Sequence, residues 1–248
     1  MHRFYLSPAE AKVKPLTLAG REAHHALHVL RLRRGDQLTV LDGVGGEFVC
    51  AIENFDRDKI QLSVLESKKV PAPPCPITLL QAVPKGKIIE SIIQKATELG
   101  VARIVPLLTE RVVMDLDDKR AARKSDKWQQ VAVEAIKQCG AAWLPRVEAP
   151  ITPKEFLARG EKFELPIIAS LQPGAQHPRQ YFETFRARNG RQPQSACVWI
   201  GPEGDFTAEE VMGIISAGAL PITLGKLVLR VETAATYCLS VLSYELGT

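Results

Sequence analysis

The sequence predicts an α/β protein with a small N-terminal β-barrel and a C-terminal, mainly parallel sheet that carries helices on both faces. Before residue 70, short strand-like segments predominate, which favours a closed or partly closed barrel. After residue 76, apolar strands alternate with helical stripes, which is typical of parallel sheets covered by helices. Between the two parts, residues 70–76 hold four prolines and cannot continue a helix or a central strand.

These observations divide the chain into three parts. Residues 1–70 form the predicted barrel, residues 71–76 a stiff proline-rich linker, and residues 77–248 the predicted sheet domain. A chain of 248 residues is long enough for one large domain or two modest ones. The net charge of +4 permits an anionic partner without requiring one.

The composition excludes several classes of protein. With 46% hydrophobic and 24% charged residues, it is that of an ordinary soluble globular chain. The five cysteines include no CxxC pair, so we expect reduced, mostly buried thiols and no metal. The N-terminus lacks the apolar core of a signal peptide, and no apolar run is long enough for a membrane span. We therefore expect a cytoplasmic protein that does not contact a membrane.

In the N-terminal part, four segments read as strands and one as a helix. Residues 59–65 alternate apolar and polar side chains, as a half-buried strand does. Residues 42–46 are a glycine-rich turn that predicts a hairpin between its neighbours. The other predicted elements are strands at 3–6, 38–41 and 47–52 and a helix at 22–30.

In the C-terminal part, helices are predicted from apolar stripes and strands from buried runs. Residues 88–99 and 128–139 place apolar residues on one helical face, and a glycine follows each stripe. Thr207 and Glu210 form a capping box, which begins a further helix. The predicted strands are residues 77–83, 101–108, 165–170 and 196–200.

Residues 21–34 gather four arginines and three histidines, a pattern typical of an RNA-binding surface. A solvated surface helix is the alternative. Metal binding by His24, His25 and His28 lacks a third type of ligand nearby. The turn at residues 85–87 follows the first strand of the sheet domain, so its lysines face either a phosphate or only solvent. The predicted RNA-binding residues are Arg3, His24, His25, Arg31, Arg33, Arg34, Lys85 and Lys87.

Two glycine-marked turns follow strands, at residues 201–204 and 224–225. In open α/β sheets, such turns at the ends of neighbouring strands usually hold a ligand. The missing GxGxxG and GxxxxGK[ST] patterns count against nicotinamide, flavin and nucleoside triphosphate sites. Downstream, Arg230 and Glu232 are either functional or a salt bridge at a helix start.

The stretch 200–204, followed by residues 224–225 and 229–234, resembles the SPOUT methyltransferases. More narrowly, it is similar to the RsmE family, the bacterial 16S ribosomal RNA uracil-N3 methyltransferases. Residues 85–101 and 24–33 match the same family, in the same order along the chain. The resemblance implies a PUA-like RNA-binding barrel, a trefoil knot in the C-terminal domain, the cofactor S-adenosylmethionine and a homodimer. It also implies that the target is a uridine of 16S ribosomal RNA in the small subunit.

The resemblance also indicates site residues. Arg230 is expected to stabilise the anion of the target uracil. Glu232 or Glu203 is expected either to accept the proton or to orient Arg230, and we favour orientation. The sequence departs from the family pattern at Asp205, where a glycine is usual, and at Val231, where a threonine is usual. The expected cofactor-binding residues are Leu171, Ile200, Gly201, Gly204, Leu224, Gly225, Leu229 and Thr233.

Two other functions stay open on the sequence. One is a SPOUT enzyme that methylates a ribose 2′-hydroxyl. The other is an RNA-binding ribosome assembly factor without catalytic activity, which would use only the basic N-terminal part.

Overall fold

The structure, a computed structural model, describes residues 1–56, 58–111, 118–172 and 174–247, and of residues 118–120 it describes the backbone alone. The chain forms two compact units. One consists of Met1–Ala72 and Val133–Leu144, and the other of Pro73–Ala132 and Pro145–Thr248.

The first unit is built on a five-stranded sheet with two short helices. The elements of this unit are β1 (His2–Tyr5), α1 (Pro8–Lys12), β2 (Leu16–Ala19), α2 (Gly20–His24), β3 (Gln37–Leu41), β4 (Gly46–Phe55) and β5 (Lys59–Lys69). Helix α2 continues into a π-helical stretch, His25–Val29, where the sequence predicts one regular helix.

This sheet is curled and mostly antiparallel. Its strand order is β1-β3-β4-β5-β2, and only the β1–β3 pair is parallel. The register of β4 on β5 shifts between Val49 and Cys50 and between Ile52 and Asn54, which adds local twist. The alternating apolar side chains enter one core, whose largest fully buried members are Phe4, Leu16, Leu18, Leu38, Ile52, Ile60 and Leu62.

The second unit alternates strands and helices. The elements of the second unit are β6 (Ile77–Ala82), α3 (Ile88–Glu98), β7 (Arg103–Leu107), α4 (Asp118–Cys139, whose last turns belong to the first unit), β8 (Arg146–Val147), α5 (Pro153–Ala158), β9 (Leu165–Ala169), α6 (Pro178–Asn189), β10 (Ala196–Ile200), α7 (Ala208–Ser216), β11 (Leu220–Ile222) and α8 (Val231–Leu246). Helix α4 begins ten residues before residue 128, where the predicted helix starts. Its first turns are polar and carry no periodic signal, so the apolar pattern does not predict them.

All strand pairs of the second sheet are parallel, in the order β11-β9-β10-β6-β7-β8. The predicted α/β class and parallel sheet are thereby confirmed. Helices α5 and α7 pack together, and side chains from both share a core with Leu80, Val105 and Trp199 of the sheet. Helix α8 packs on α3 and on β10. The order places β10 between β9 and β6, so the chain reverses its direction of winding beside β10.

Four of the five cysteines are buried, and all five are free. Burial raises the pKa of the Cys50 thiol to about 11 and that of Cys197 to about 12. No helix in the described part of the chain is both long enough and apolar enough to cross a bilayer.

Within the first unit, a largely buried lysine links the segment 133–144 to the N-terminal residues. The Lys137 ammonium lies 2.8 Å from a Glu22 carboxylate oxygen and 3.2 Å from one of Glu134. Arg3 adds a second tie, because its guanidinium donates to the Gln138 carbonyl at 3.0 Å. Since the Lys137 side chain is only 7% exposed, these carboxylates rather than water are the main neighbours of its ammonium group.

We expect Lys137→Ala to lower the free energy of unfolding by about 3 kcal/mol, because it leaves the Glu22 carboxylate without its cation in a largely buried site. The matched control is Lys127→Ala, also on α4, which removes the more exposed Lys127–Glu90 pair between α4 and α3 and should cost under about 1 kcal/mol. Urea denaturation of both variants measures the difference. Equal losses would show that the Lys137 cluster contributes no more than a surface pair.

Candidate functional site

A cavity of about 880 Å³ opens where the loops after β9, β10 and β11 lie side by side. The three loops meet because their strands are in parallel register, with Ile168 opposite Trp199 and Ile222 opposite Ala169. The first turn of α8 closes part of the wall through Val231 and Glu232. The volume is that of a site for a small organic molecule.

Most of the residues predicted to bind a cofactor line this cavity. Gly204 and Thr233 are the predicted cofactor residues that are not among its lining residues. The ones that do line it are Leu171, Ile200, Gly201, Leu224, Gly225 and Leu229. Arg230 and Glu232, the predicted catalytic residues, line it as well.

The loop after β10, residues 201–205, turns sharply at the edge of the cavity. We call it the cofactor loop after Gly201 and Gly204, which are expected from the sequence to bind a cofactor. The Asp205 amide donates to the Pro202 carbonyl at 2.9 Å, which closes the turn. Asp205 has a φ of +61°, the left-handed conformation that most side chains avoid. The Glu203 carboxylate accepts a hydrogen bond from the Lys85 amide at 3.2 Å, so the loop after β6 is bound to the cofactor loop.

The loop after β7 holds the cofactor loop from the other side. The Arg111 guanidinium donates to the Gly204 carbonyl. The Glu110 amide donates to one carboxylate oxygen of Glu210 at 3.1 Å, while the Thr207 amide donates to the other at 2.8 Å. Glu210 therefore caps α7 and at the same time links it to the loop after β7.

The loop after β11 reaches the cavity through a glycine with an unusual backbone. Gly225 has a φ of +109°, which only glycine adopts without strain. The Thr223 hydroxyl accepts from the Gly225 amide at 3.3 Å. Beyond this turn, Leu227 and Val228 are 76% and 78% exposed. An exposed pair of large apolar side chains beside a cavity is typical of a surface that another molecule covers.

Charged groups of both signs surround the cavity. Lys226 and Arg230 provide cations, and Glu203, Asp205 and Glu232 provide carboxylates. Arg230 occupies the N-cap position of α8, and its side chain makes no capping bond there. Among the described residues, Arg230 forms no ion pair with Glu232, so the simple salt bridge at a helix start is not what the structure contains.

Comparison with known proteins identifies the family. A family model described as an RNA methyltransferase domain matches residues 71–243, and one described as an RNA methyltransferase PUA domain matches residues 18–65. The chain is 30% identical to the ribosomal RNA small subunit methyltransferase E of Bacillus subtilis, over 99% of this chain and 97% of the relative. The chain belongs to the RsmE family of RNA methyltransferases.

Further members and solved structures agree with this assignment. The Synechocystis member is 33% identical over 96% of this chain and 76% of its own length. The Neisseria gonorrhoeae member, solved with bound S-adenosyl methionine, has a TM-score of 0.83 and 28% identity, covering 98% of this chain and 97% of its own. A Legionella pneumophila protein in complex with the same cofactor has a TM-score of 0.86 and 34% identity, with coverage of 98% and 96%.

The predicted RNA-binding residues fall into both compact units. In the second unit, Lys85 and Lys87 are exposed on the turn that the Glu203 carboxylate holds. In the first, Arg31, Arg33 and Arg34 are exposed.

The histidines and Arg3 already have protein contacts. The rings of His24 and His28 lie 4.8 Å apart, and that of His25 lies 6.0 Å from Phe4. Arg3 donates to the carbonyls of Lys137 and Gln138, so its guanidinium caps the end of α4. In the described ranges, no group of three or more His, Cys, Asp or Glu side chains could hold a metal ion.

Sequence reasoning missed the loop after β7. The signal available in the sequence was that Glu110 and Arg111 follow an apolar strand. In the structure, they lie at the same sheet edge as the cofactor loop. Which strand neighbours which is not visible in the sequence, however, and Glu110 and Glu210 are a hundred positions apart along the chain.

We expect Glu210→Ala to lower the free energy of unfolding by about 1 kcal/mol more than Glu155→Ala, because only Glu210 also binds the Glu110 amide. Glu155 and Thr152 form the same capping box at α5, so Glu155→Ala measures the loss of the box alone. Urea unfolding of the two variants gives the comparison. Losses of equal size would mean that the bond to Glu110 adds no stability.

Proposed function

We propose that this protein transfers a methyl group from S-adenosylmethionine to N3 of a uridine in 16S ribosomal RNA of the small subunit. The observation that carries this proposal is the cavity at the loops after β9, β10 and β11, which brings expected cofactor residues together with Arg230 and Glu232. Membership in the RsmE family and structural likeness to proteins with this cofactor bound support it.

The residues around the cavity fit an adenosine-bearing methyl donor. Ile200, Leu224 and Leu229 offer apolar walls for a flat base. Gly201 and Gly225 let the backbone approach a ligand closely, so amides and carbonyls are available to hydrogen-bond the edge of the base. The bound cofactor supplies an electrophilic methyl group on a positively charged sulfur.

The target nitrogen must lose a proton before it becomes a good nucleophile, because N3 of uracil is an imide. Arg230 is exposed at the rim of the cavity and carries a permanent positive charge. We assign it the stabilisation of the negative charge that develops on the uracil carbonyl oxygens. Its place just before α8 adds the positive end of that helix to the same region.

Glu203 and Glu232 are the two carboxylates considered for the proton. Glu203 accepts the Lys85 amide, so its role is to position the cofactor loop. Glu232 is half-buried in the first turn of α8 and lines the cavity. We therefore assign the proton-accepting role to Glu232.

We further infer that the first unit is a PUA-like barrel that holds RNA through Arg31, Arg33 and Arg34. The match to the PUA family model and the exposure of these arginines support RNA binding by the first unit. From membership in the RsmE family, we also infer a trefoil knot in the C-terminal unit and a place of action in the cytoplasm. Lys85 and Lys87 would meet phosphate beside the cavity.

A homodimer is part of the proposal. Leu227, Val228 and Tyr244 are 76%, 78% and 87% exposed, and Tyr237 lies on α8 seven positions before Tyr244. Large apolar side chains in these numbers are costly to leave in water. A second copy of the chain, packed against α8 and the loop after β11, would cover them.

We expect Arg230→Ala to lower methyl transfer by about 100-fold or more while affinity for S-adenosylmethionine stays nearly unchanged. Small subunits from a strain that lacks the enzyme serve as substrate, and mass spectrometry of nucleosides identifies the product. Arg188→Ala, which changes an exposed arginine of α6, is the matched control and should retain full activity. If the methyl group is found on a ribose, the enzyme is a 2′-O-methyltransferase. If the parent protein forms no methylated product, it is a non-catalytic assembly factor.

We expect the protein to sediment with twice its chain mass of 27.3 kDa. The double change Val228→Asp and Tyr244→Glu should yield monomers, because it places charges on the face that the second copy would cover. Met212→Glu alters a 62% exposed side chain on α7 and should leave the mass unchanged. A parent protein that sediments as a monomer at micromolar concentration contradicts the dimer.

A further inference from the structure

Asp205 adopts a backbone conformation that its residue type avoids. Only two described residues other than glycine have a positive φ, Arg31 and Asp205. Aspartate tolerates the left-handed region better than most residues, but glycine occupies it with less strain. A strained residue at the wall of a cavity is a reason to ask what its side chain does there.

One hydrogen bond and the closeness of Gly201 define the place of the Asp205 carboxylate. Its Oδ1 atom accepts a hydrogen bond from the Phe206 amide at 2.8 Å. Phe206 is only 3% exposed and anchors the end of the cofactor loop in the core between the sheet and α7. The same Oδ1 atom lies 2.9 Å from the position that a Cβ on Gly201 would occupy. The carboxylate therefore lies close to the end of β10, and the Phe206 amide holds it there.

Asp205 lines the cavity and has one carboxylate oxygen without a hydrogen bond or ion pair in the described part of the chain. Glu203, the other carboxylate of the same loop, also lines the cavity, but one of its oxygens accepts the Lys85 amide at 3.2 Å. The cations of the cavity, Lys226 and Arg230, belong to the loop after β11. Asp205 thus places a fixed negative charge on the β10 side of the cavity.

We propose that Asp205 determines the preference of this cavity for the charged methyl donor over the product left after transfer. This inference rests on the proposed function. In the proposed reaction, the methyl–sulfur bond breaks and a methyl–nitrogen bond forms, while the imide proton leaves. The electron pair of the broken bond stays on sulfur, so the positive sulfonium becomes a neutral thioether.

A half-buried carboxylate on the cavity wall attracts the sulfonium and has no comparable interaction with the thioether. The carboxylate and the sulfonium are two opposite unit charges within one cavity, in an effective dielectric between those of protein and water. Their attraction then corresponds to tighter binding of the donor than of the product, on the order of fivefold. The product is released more readily than the donor, which limits inhibition by product.

Asp205→Asn isolates the charge. Asparagine keeps an acceptor oxygen for the Phe206 amide and tolerates the left-handed region equally well, so the shape of the loop is retained. Calorimetric titration of the full chain with S-adenosylmethionine and with S-adenosylhomocysteine gives the ratio of the two dissociation constants. We expect the preference for the donor to fall about fivefold in this variant, chiefly through weaker binding of the donor.

Two further variants complete the test. Asp205→Gly is fully compatible with a positive φ and carries no side chain, so it should lose the preference to the same extent. Glu209→Gln removes the same charge from an exposed position in the first turn of α7, outside the cavity lining, and should leave the ratio unchanged.

An unchanged ratio in both Asp205 variants, with both ligands still bound, overturns this inference and leaves the proposed function standing. Failure of the parent protein to bind either ligand overturns both. A loss of preference in Glu209→Gln as large as that in Asp205→Asn also contradicts the inference, because the effect would then arise from net charge rather than from a charge held in the cavity.

Discussion

The site depends on the backbone hydrogen bonds that hold β10 between β9 and β6. In parallel register, Trp199 lies opposite both Ile168 and Leu80, so the three strands end at one edge of the sheet. The loops that follow β9 and β10 emerge there, next to the loop after β11. A shift of β10 by one residue would exchange the faces of its side chains and remove Trp199 from its packing against Phe156. The position of the cavity is thus a consequence of the core of the sheet.

Polar contacts link the cofactor loop and the start of α7 to the neighbouring loops, while the buried Phe206 anchors the end of the cofactor loop in the core. Glu203 accepts the Lys85 amide of the loop after β6. From the loop after β7, the Arg111 guanidinium donates to the Gly204 carbonyl, and the Glu110 amide donates to Glu210 at the start of α7. Each contact joins a side chain to a backbone group, so it fixes the path of the chain as well as its distance from the neighbouring loop. The loop itself can therefore be built from glycine and proline, which leave its backbone accessible to a ligand.

Elements with a strong apolar pattern were predictable from the sequence, and polar or short elements were not. Strand β10 is apolar throughout, and α3 has a clear helical stripe, so both were predicted close to their observed bounds. Helix α6 was missed because few of its side chains are buried, and the four-residue strand β2 was missed as well. At the site, glycine turns identified two of the three loops, whereas the contact of Glu110 with Glu210 depends on a strand order that local patterns do not contain.

Shape and charge have separate origins in this cavity. Its walls are made by Gly201, Gly225 and apolar neighbours, a set that accepts a flat base without regard to its charge. Its charges differ in mobility: Asp205 is short and pinned by the Phe206 amide, while Arg230 is long and exposed. A pinned charge suits a ligand that always binds in one place, because no reorganisation is needed when it arrives. A long, exposed cation suits a target base that enters from solvent, since it lies at the rim where that base would arrive. In the proposed reaction, the cofactor thus binds beside the hydrogen-bonded Asp205 carboxylate, and the target base binds beside the exposed Arg230.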